Sequence, residues 1–431
     1  MVPLPSPKKQ GARASSHGGA LSAPPAPPAP ARASAEEAIV ARARMLGFDA
    51  VGFARADLPV EADFEHYRAF IDQGMHGEMG WLAENAEVRA SASGEGILAG
   101  ARTVICLARR YQRPREEEEN DAPLARTVAR YARGSDYHNH LRRKLRKLAT
   151  FVRGLGSPEE PVSARPICDD APMLERAWAA RAGLGFVGKN GLLIVPGQGS
   201  MVLLGEVVTT LALTPGVPMA ERCGSCTRCL EACPTGAFVR PFVLDPRRCI
   251  AYLTIEHRSG IAEEFRGPIG EHLFGCDDCQ TVCPFNASTR PRKPDPLRVA
   301  AVAAGRPQHA EDLPGSPFEP LECWRSLELA ALLELREPEP GAAQVEQDAQ
   351  VEPAAPETSD DPSRALWTKL AGSPVRRATA DGLARNAALV LGNRGDAGAL
   401  PALRRAAVAH PAEMVRTSAA WAVRRIEGML G

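Results

Sequence analysis

The chain has 431 residues, 44% hydrophobic and 24% charged, enough apolar material for two or three globular cores. Its formal net charge is zero, which excludes a molecule-wide attraction to nucleic acid or membrane and leaves only regional ones. No apolar run approaches the roughly 20 residues of a membrane span, so no membrane partner is expected.

Residues 1–33 are rich in Ala, Pro and Ser and lack an apolar segment, so they read as a disordered tail and not as a signal peptide. Ser34 with Glu37 makes a capping-box pattern, and Ile39, Ala43 and Leu46 follow at helical spacing. Asp49 to Phe53 suits a short strand. His76-Gly77-Glu78-Met79 and Trp81 lie in a Gly-flanked turn, where a lone His or Trp reads first as a packing group. Thr103 to Ala108 predicts a buried strand with Cys106 as a core thiol. The glutamates at 116–119 read as a solvated loop. Tyr131 and Asp136-Tyr137-His138 then lead into a helix carrying Arg142, Arg143, Lys144, Arg146 and Lys147. Such a run is first a solvated face, but beside a Tyr-His pair it also suits a phosphate-bearing substrate.

Residues 167–190 hold Cys168-Asp169-Asp170-Ala171-Pro172, a helix with Glu175, Arg176 and Trp178, and then Gly183-x-Gly185-x-x-Gly188-Lys189-Asn190. These glycines follow a helix, whereas the dinucleotide fingerprint must follow a strand and open a helix, so that reading is rejected. Their freedom suits a close approach of backbone to a flat cofactor or a tight neighbour. Leu192 to Val195 and Met201 to Val208 read as paired strands.

Eight of the eleven cysteines fall between Cys223 and Cys283. Cys223, Cys226, Cys229 and Cys233, followed by Pro234, spell C-x2-C-x2-C-x3-C-P, the bacterial ferredoxin run, whose fourth cysteine reaches a second cluster. The partner run is stretched: Cys249, then Cys276, Cys279 and Cys283 followed by Pro284. Crossed ligation gives Cys223, Cys226, Cys229 and Cys283 to one 4Fe-4S cluster, and Cys249, Cys276, Cys279 and Cys233 to the other. Zinc has no use for a C-x3-C-P ending on both motifs, and a disulfide framework belongs to short exported chains. Two clusters imply electron transfer and, with reduced thiols, a cytoplasmic location.

From Glu334 to Ser363 nine acidic residues stand against one basic, which reads as a disordered insert. Residues 364–431 hold eleven Arg or Lys against four acids, a local balance of +7 on amphipathic helices that suggest a short HEAT-type repeat. That charge suits a phosphate-binding surface, beside the plainer role of capping the core.

Taken together the motifs resemble the epoxyqueuosine reductase family, cobalamin-dependent iron–sulfur enzymes that complete queuosine in tRNA. The resemblance is carried by Arg130-Tyr131-Ala132-Arg133-Gly134-x-Asp136-Tyr137-His138, by Asp169-x-Ala171-Pro172-x-Leu174-Glu175-Arg176 and by Ala182-Gly183-Leu184-Gly185-Phe186-x-Gly188-Lys189-Asn190. Both cysteine motifs, Tyr252 to Glu256, Leu383-x-Arg385-Asn386-Ala387-Ala388 and Leu391-Gly392-Asn393 add to it. The long N-terminal tail, the acidic insert and Asp170 in place of a usual Ser depart from it.

The resemblance implies an α+β chain: a cobalamin-binding catalytic domain of reductive-dehalogenase type over 34–215, a two-cluster ferredoxin-like domain over 216–295, a connecting segment over 296–333, and a tRNA-binding, α-helical HEAT-like repeat over 364–431. It implies reduction of epoxyqueuosine to queuosine at the wobble position of tRNA, electrons passing through two 4Fe-4S clusters to cobalamin. Asp169 would be the proton donor, raised toward neutrality by burial. Tyr137, His138, Gly183, Gly185, Gly188, Lys189 and Asn190 would bind cobalamin, and Arg376, Arg377, Arg385 and Arg416 the tRNA. A monomer fed by an external low-potential electron donor is expected. A reductive dehalogenase-like enzyme, a two-cluster electron carrier and a nucleic-acid module with structural clusters are the competing readings. A dehalogenase has no reason for the basic tail, a carrier needs only the middle third, and a binding module leaves Asp169 unexplained.

Overall fold

The computed structural model of the chain describes residues 34–287, 317–337 and 362–430. The expected N-terminal tail, most of the connecting segment and nearly all of the acidic insert lie outside the described residues.

The N-terminal part contains α1 (Ala35–Met45), β1 (Ala50–Arg55), α2 (Glu61–Asp72), β2 (Thr103–Arg110), α3 (Arg115–Glu119), α4 (Tyr137–Arg153), β3 (Ala164–Ile167), α5 (Glu175–Arg181), β4 (Phe186–Val187), β5 (Leu193–Ile194) and β6 (Val202–Thr209). The capping box at Ser34 forms, with Ser34 and Glu37 satisfying each other's backbone N–H groups. β1, β2, β6 and β3 lie side by side in that order, every neighbour antiparallel. Side chains alternate across a strand, so each strand feeds two cores. Val104, Cys106 and Ala108 of β2 join Ala177 and Trp178 of α5 on one face. Ile105 and Leu107 join Leu141, Leu145 and Leu148 of α4 and Ile39 of α1 on the other. The sheet is thus sandwiched between helices, and the end of it where α4 and α5 begin carries the site.

Two local expectations are corrected. Residues 192–195 do not pair with 201–208: β5 pairs with β4, while β6 runs between β2 and β3, where its alternating apolar residues can fill both layers. The glutamates at 116–119 are not loop but α3, stitched by an Arg115–Glu119 ion pair one turn apart at 2.7 Å.

Each cysteine motif contains a short helix starting just before its third cysteine in the run: α6 (Arg228–Glu231) in the first and, after β7 (Phe238–Arg240), β8 (Val243–Leu244), α7 (Ile250–Ile255) and α8 (Glu263–Arg266), α9 (Asp278–Thr281) in the second. A final turn, α10 (Pro284–Ala287), starts at the proline that ends the second motif. Beyond it come α11 (Cys323–Ser326), α12 (Pro362–Lys369), α13 (Ala380–Arg394), α14 (Leu400–Ala409) and α15 (Glu413–Leu430). No helix among the described residues is long and apolar enough to cross a membrane.

The C-terminal helices are not a separate appendage. Tyr252, Leu253, Ile269 and Phe274 from the cysteine segment share one apolar core with Leu383, Leu389, Leu391 and Ile426. Helix α13 is buried on nearly all sides. Its polar side chains serve backbone carbonyls: Asn386 Nδ2 donates to Thr254 O and Leu273 O, and Asn393 Nδ2 to Arg266 O and Gly270 O.

Candidate active site and cluster-binding segment

Asp169 sits just past β3 in a left-handed backbone conformation, φ 54°, which a non-glycine residue holds only when its surroundings fix it. Two neighbours do so. Its N–H donates to Glu175 Oε1 at 2.9 Å, at the first turn of α5, and the next residue, Asp170, accepts from Cys168 N at 3.0 Å and pairs with Arg142 at 3.2 Å.

Across from it, α4 begins at Asp136, whose Oδ1 caps the helix by accepting from His138 N at 2.9 Å and also meets His138 Nδ1 at 2.7 Å. The other ring nitrogen, Nε2, lies 3.3 Å from Asp169 Oδ2. Burial works against a charged ring here, but hydrogen bonds to Asp136 and Asp169 prevail and raise His138 to about 9. Asp169 is not buried as expected: its side chain is 60% exposed. His138 therefore holds a proton near neutrality against the Asp169 side chain, which faces solvent. Tyr137 stacks on the imidazole with ring centroids 4.0 Å apart, and Tyr131 meets Tyr137 edge-on at 5.9 Å.

Two further carboxyls sit behind Asp169. Glu175 is pushed up to about 7, first by burial and then by the charge of Asp169. Glu206, fully buried on β6, is raised well above the carboxylate range by burial and then by Glu175. Glu175 was quoted in the sequence only as part of a motif, and Glu206 carries no local signal in an apolar strand.

Four of the cysteines, drawn from both motifs, gather at one cavity. Cys223, Cys226 and Cys229 of the first motif and Cys283 of the second line one cavity of about 260 Å³, together with Lys189, Asn190 and Phe285. In the second motif, burial and then the neighbouring Cys249, with Asp277, Cys229 and Cys233 contributing less, push the Cys279 thiol up to about 12. Cys233 Sγ accepts from Ala237 N at 3.3 Å and Cys276 Sγ from Asp278 N at 3.5 Å. Half-buried thiols with N–H groups aimed at sulfur become thiolates when a cation binds, so this donor set fits iron–sulfur clusters. His272 joins Cys276 and Asp278, one ligand atom of each lying within 4.8 Å of the others. A buried network connects the cysteines to the sheet: Ser200, next to β6, holds Gln280 Oε1 at 3.1 Å and Asn286 Nδ2 at 3.0 Å.

The residues expected to bind cobalamin divide. A Cβ on Gly183 would lie 2.7 Å from Val217 O, one on Gly185 2.1 Å from Ile194 O, and one on Gly188 2.6 Å from Ile194 Cδ1, so all three glycines serve close approach within the protein. Lys189 Nζ donates to Gly224 O and Cys226 O and so holds the first cysteine loop. Tyr137 and His138 face the Asp169 side, and Asn190, 5% exposed, keeps an amide Nδ2 without a partner. Tyr137 and His138 thus border the open side of Asp169, whereas Asn190 lines the cysteine cavity.

The expected tRNA arginines divide as well. Arg385 is a correction: it is fully buried, and its guanidinium donates to Leu253 O at 2.6 Å, His257 O at 2.8 Å and Ser259 O at 2.7 Å, leaving nothing for a phosphate. Arg416 is half-buried and ties down the His410–Pro411 turn. Arg376 lies over the Trp367 ring at 4.8 Å. Arg377 is exposed, forks onto Glu256 at 3.0 and 3.1 Å, and feels the charge of Asp169 after that of Glu256. Within the basic run of α4, Lys144 is buried and donates to Leu46 O, so that run is not one solvated face.

A sheet that presents an acid–base pair at its end, joined to paired cysteine motifs of ferredoxin type, defines an iron–sulfur oxidoreductase. Residues 222–286 match the family model of a 4Fe-4S double cluster binding domain, residues 92–170 match that of epoxyqueuosine reductase QueG, DUF1730, and the epoxyqueuosine reductase of Gloeobacter violaceus is 37% identical over 358 residues, 83% of this chain and 96% of that protein. The chain belongs to the epoxyqueuosine reductase family. The epoxyqueuosine reductase of Xanthomonas campestris pv. campestris is 40% identical over 231 residues, 53% of this chain and 63% of that one. Among solved structures, an epoxyqueuosine reductase crystallised with an epoxyqueuosine-modified tRNA-Tyr stem loop is similar with a TM-score of 0.71 at 29% identity, covering 91% of this chain and 90% of that one. A Bacillus subtilis epoxyqueuosine reductase, seen with its catalytic aspartate loop swung out of the active site, gives a TM-score of 0.69 at 29% identity, covering 91% of this chain and 90% of that one.

Proposed function

We propose that this chain reduces epoxyqueuosine to queuosine in the anticodon of tRNA, with Asp169 delivering the proton to the opening epoxide. The reading rests above all on the contact between Asp169 and a protonated His138 at 3.3 Å, in a chain of this family. An epoxide oxygen leaves poorly as an alkoxide, so the reaction needs an acid at that oxygen. In balance, one epoxide, two electrons and two protons give one alkene and one water. Two 4Fe-4S clusters, on Cys223, Cys226, Cys229 and Cys283 and on Cys249, Cys276, Cys279 and Cys233, with cobalamin bordered by Tyr137, His138 and Asn190, would supply the electrons and a cobalt nucleophile. His138 holds a proton next to Asp169 and returns it after each delivery, while Asp136 fixes the ring and its tautomer. Glu175 fixes the backbone of Asp169.

Arg376 and Arg377 are the expected arginines that can meet tRNA phosphates, on a HEAT-like helical module. A cytoplasmic monomer fed by an external low-potential donor completes the reading. The test is to incubate cluster- and cobalamin-loaded protein with a low-potential reductant and epoxyqueuosine-bearing tRNA, then weigh the released nucleoside. Loss of one oxygen atom is expected; an unchanged nucleoside with both cofactors reduced contradicts the proposal.

A further inference from the structure

Trp81 was read in the sequence as a packing group, and the structure places it otherwise. Four of the five tryptophans are 7% exposed or less, whereas Trp81 is 46% exposed. The loop that presents it is fastened from behind. Glu78 N donates to the Tyr252 hydroxyl at 2.8 Å, and the Glu78 carboxylate accepts from Ser259 Oγ at 2.6 Å and from Arg258 N. Gly77, at φ 58°, passes so close to Tyr252 that a Cβ would lie 2.3 Å from its hydroxyl oxygen. The indole is thus held at the surface on an anchored loop.

Its position narrows what that is. Arg377 stands 5.9 Å from the centre of the ring, locked by its fork onto Glu256 and by Arg258, which donates to Arg377 O at 2.7 Å. Trp81 therefore lies where the turn after α2, the end of α7 and the C-terminal module meet, with a cation on the ring and Asp169 within electrostatic reach of that cation. Single-stranded nucleic acids are bound by this combination, an aromatic face for a base and a cation for its phosphate.

Resting on the proposed function, we infer that Trp81, backed by Arg377, is a stacking platform for an unpaired nucleobase of the anticodon loop beside the modified nucleotide. The stacked base would hold the loop so that its neighbour turns toward Asp169. The indole contributes contact with the base and no charge, while Arg377 contributes the phosphate contact.

The test uses cluster-loaded full-length protein and a fluorescein-labelled anticodon stem-loop RNA carrying unmodified guanine at the wobble position. Kd is measured against salt for wild type, Trp81→Ala, Trp81→Phe and Arg377→Gln, with cluster absorbance checked in each. Trp81→Ala should weaken binding roughly 5- to 150-fold without changing the salt slope, and Trp81→Phe should restore most of it. Arg377→Gln should flatten the slope by about 0.7. Equal binding by wild type and Trp81→Ala overturns the inference alone, as does a Trp81→Phe variant no better than alanine. Failure of wild type to bind the same stem-loop carrying epoxyqueuosine at the wobble position overturns the proposed function with it.

Discussion

His138 Nε2 lies 3.3 Å from Asp169 Oδ2 while its Nδ1 is held at 2.7 Å by Asp136, so one imidazole joins two carboxylates that are 33 residues apart in the chain. The raised His138, at about 9, gives a pH prediction. The imidazolium persists through neutrality, so kcat/KM should hold up to about pH 8 and fall as pH rises through about 9. His138→Gln should lower the rate and remove that alkaline limb. A wild-type limb that survives in His138→Gln belongs to another group. The same pairing contributes stability that is fully present below the ordinary histidine value of about 6.5 and lost as pH rises through about 9.

The gathering of Cys283 with Cys223, Cys226 and Cys229 predicts selective damage. Cys283→Ser should impair the cluster of the first motif more than that of its own motif, and Cys233→Ser the reverse. Electron paramagnetic resonance of the reduced variants distinguishes the two clusters, and damage confined to each cysteine's own motif would exclude crossed ligation.

Arg385 should behave as a structural residue. Arg385→Ala leaves the carbonyls of Leu253, His257 and Ser259 without their donor, at a cost of at least about 3 kcal/mol. A lower Tm with an unchanged salt dependence of RNA binding is expected. A flattened salt slope at unchanged Tm would return Arg385 to the RNA surface.

For the same reason removal of residues 364–431 should do more than weaken RNA binding. That deletion exposes Leu253, Ile269 and Phe274, which share a core with α13, and strips partners from seven backbone carbonyls between Leu253 and Leu273. The truncated protein should lose cluster content on purification. Two intact clusters in it would show that the cysteine segment folds without the module.

The parts of this architecture legible in the sequence are those with local signals. β1 and β2 follow from short apolar runs, α1 from Ser34 and Glu37, and the double-cluster segment from cysteine spacing. Asp169 was legible through its motif neighbours, but its exposure was not, since burial depends on what α4 brings against it. Charge counting misread Arg385 because a formal +7 does not say which cations point inward, and only the carbonyls of Leu253, His257 and Ser259, far away in sequence, decide that. The glycines at 183, 185 and 188 were rightly seen as sites of close approach, with the neighbour turning out to be Val217 and Ile194. Glu206 and the exposure of Trp81 depend on long-range placement alone.

The most direct test of the account is a single-turnover measurement on epoxyqueuosine-bearing tRNA with reduced, cofactor-loaded Asp169→Asn. The amide keeps the size of the side chain but has no carboxyl proton to give. The account predicts normal tRNA binding and cluster spectra with oxygen loss slowed by roughly 10²- to 10⁴-fold. Oxygen loss at close to the wild-type rate would mean that the proton reaches the epoxide without Asp169.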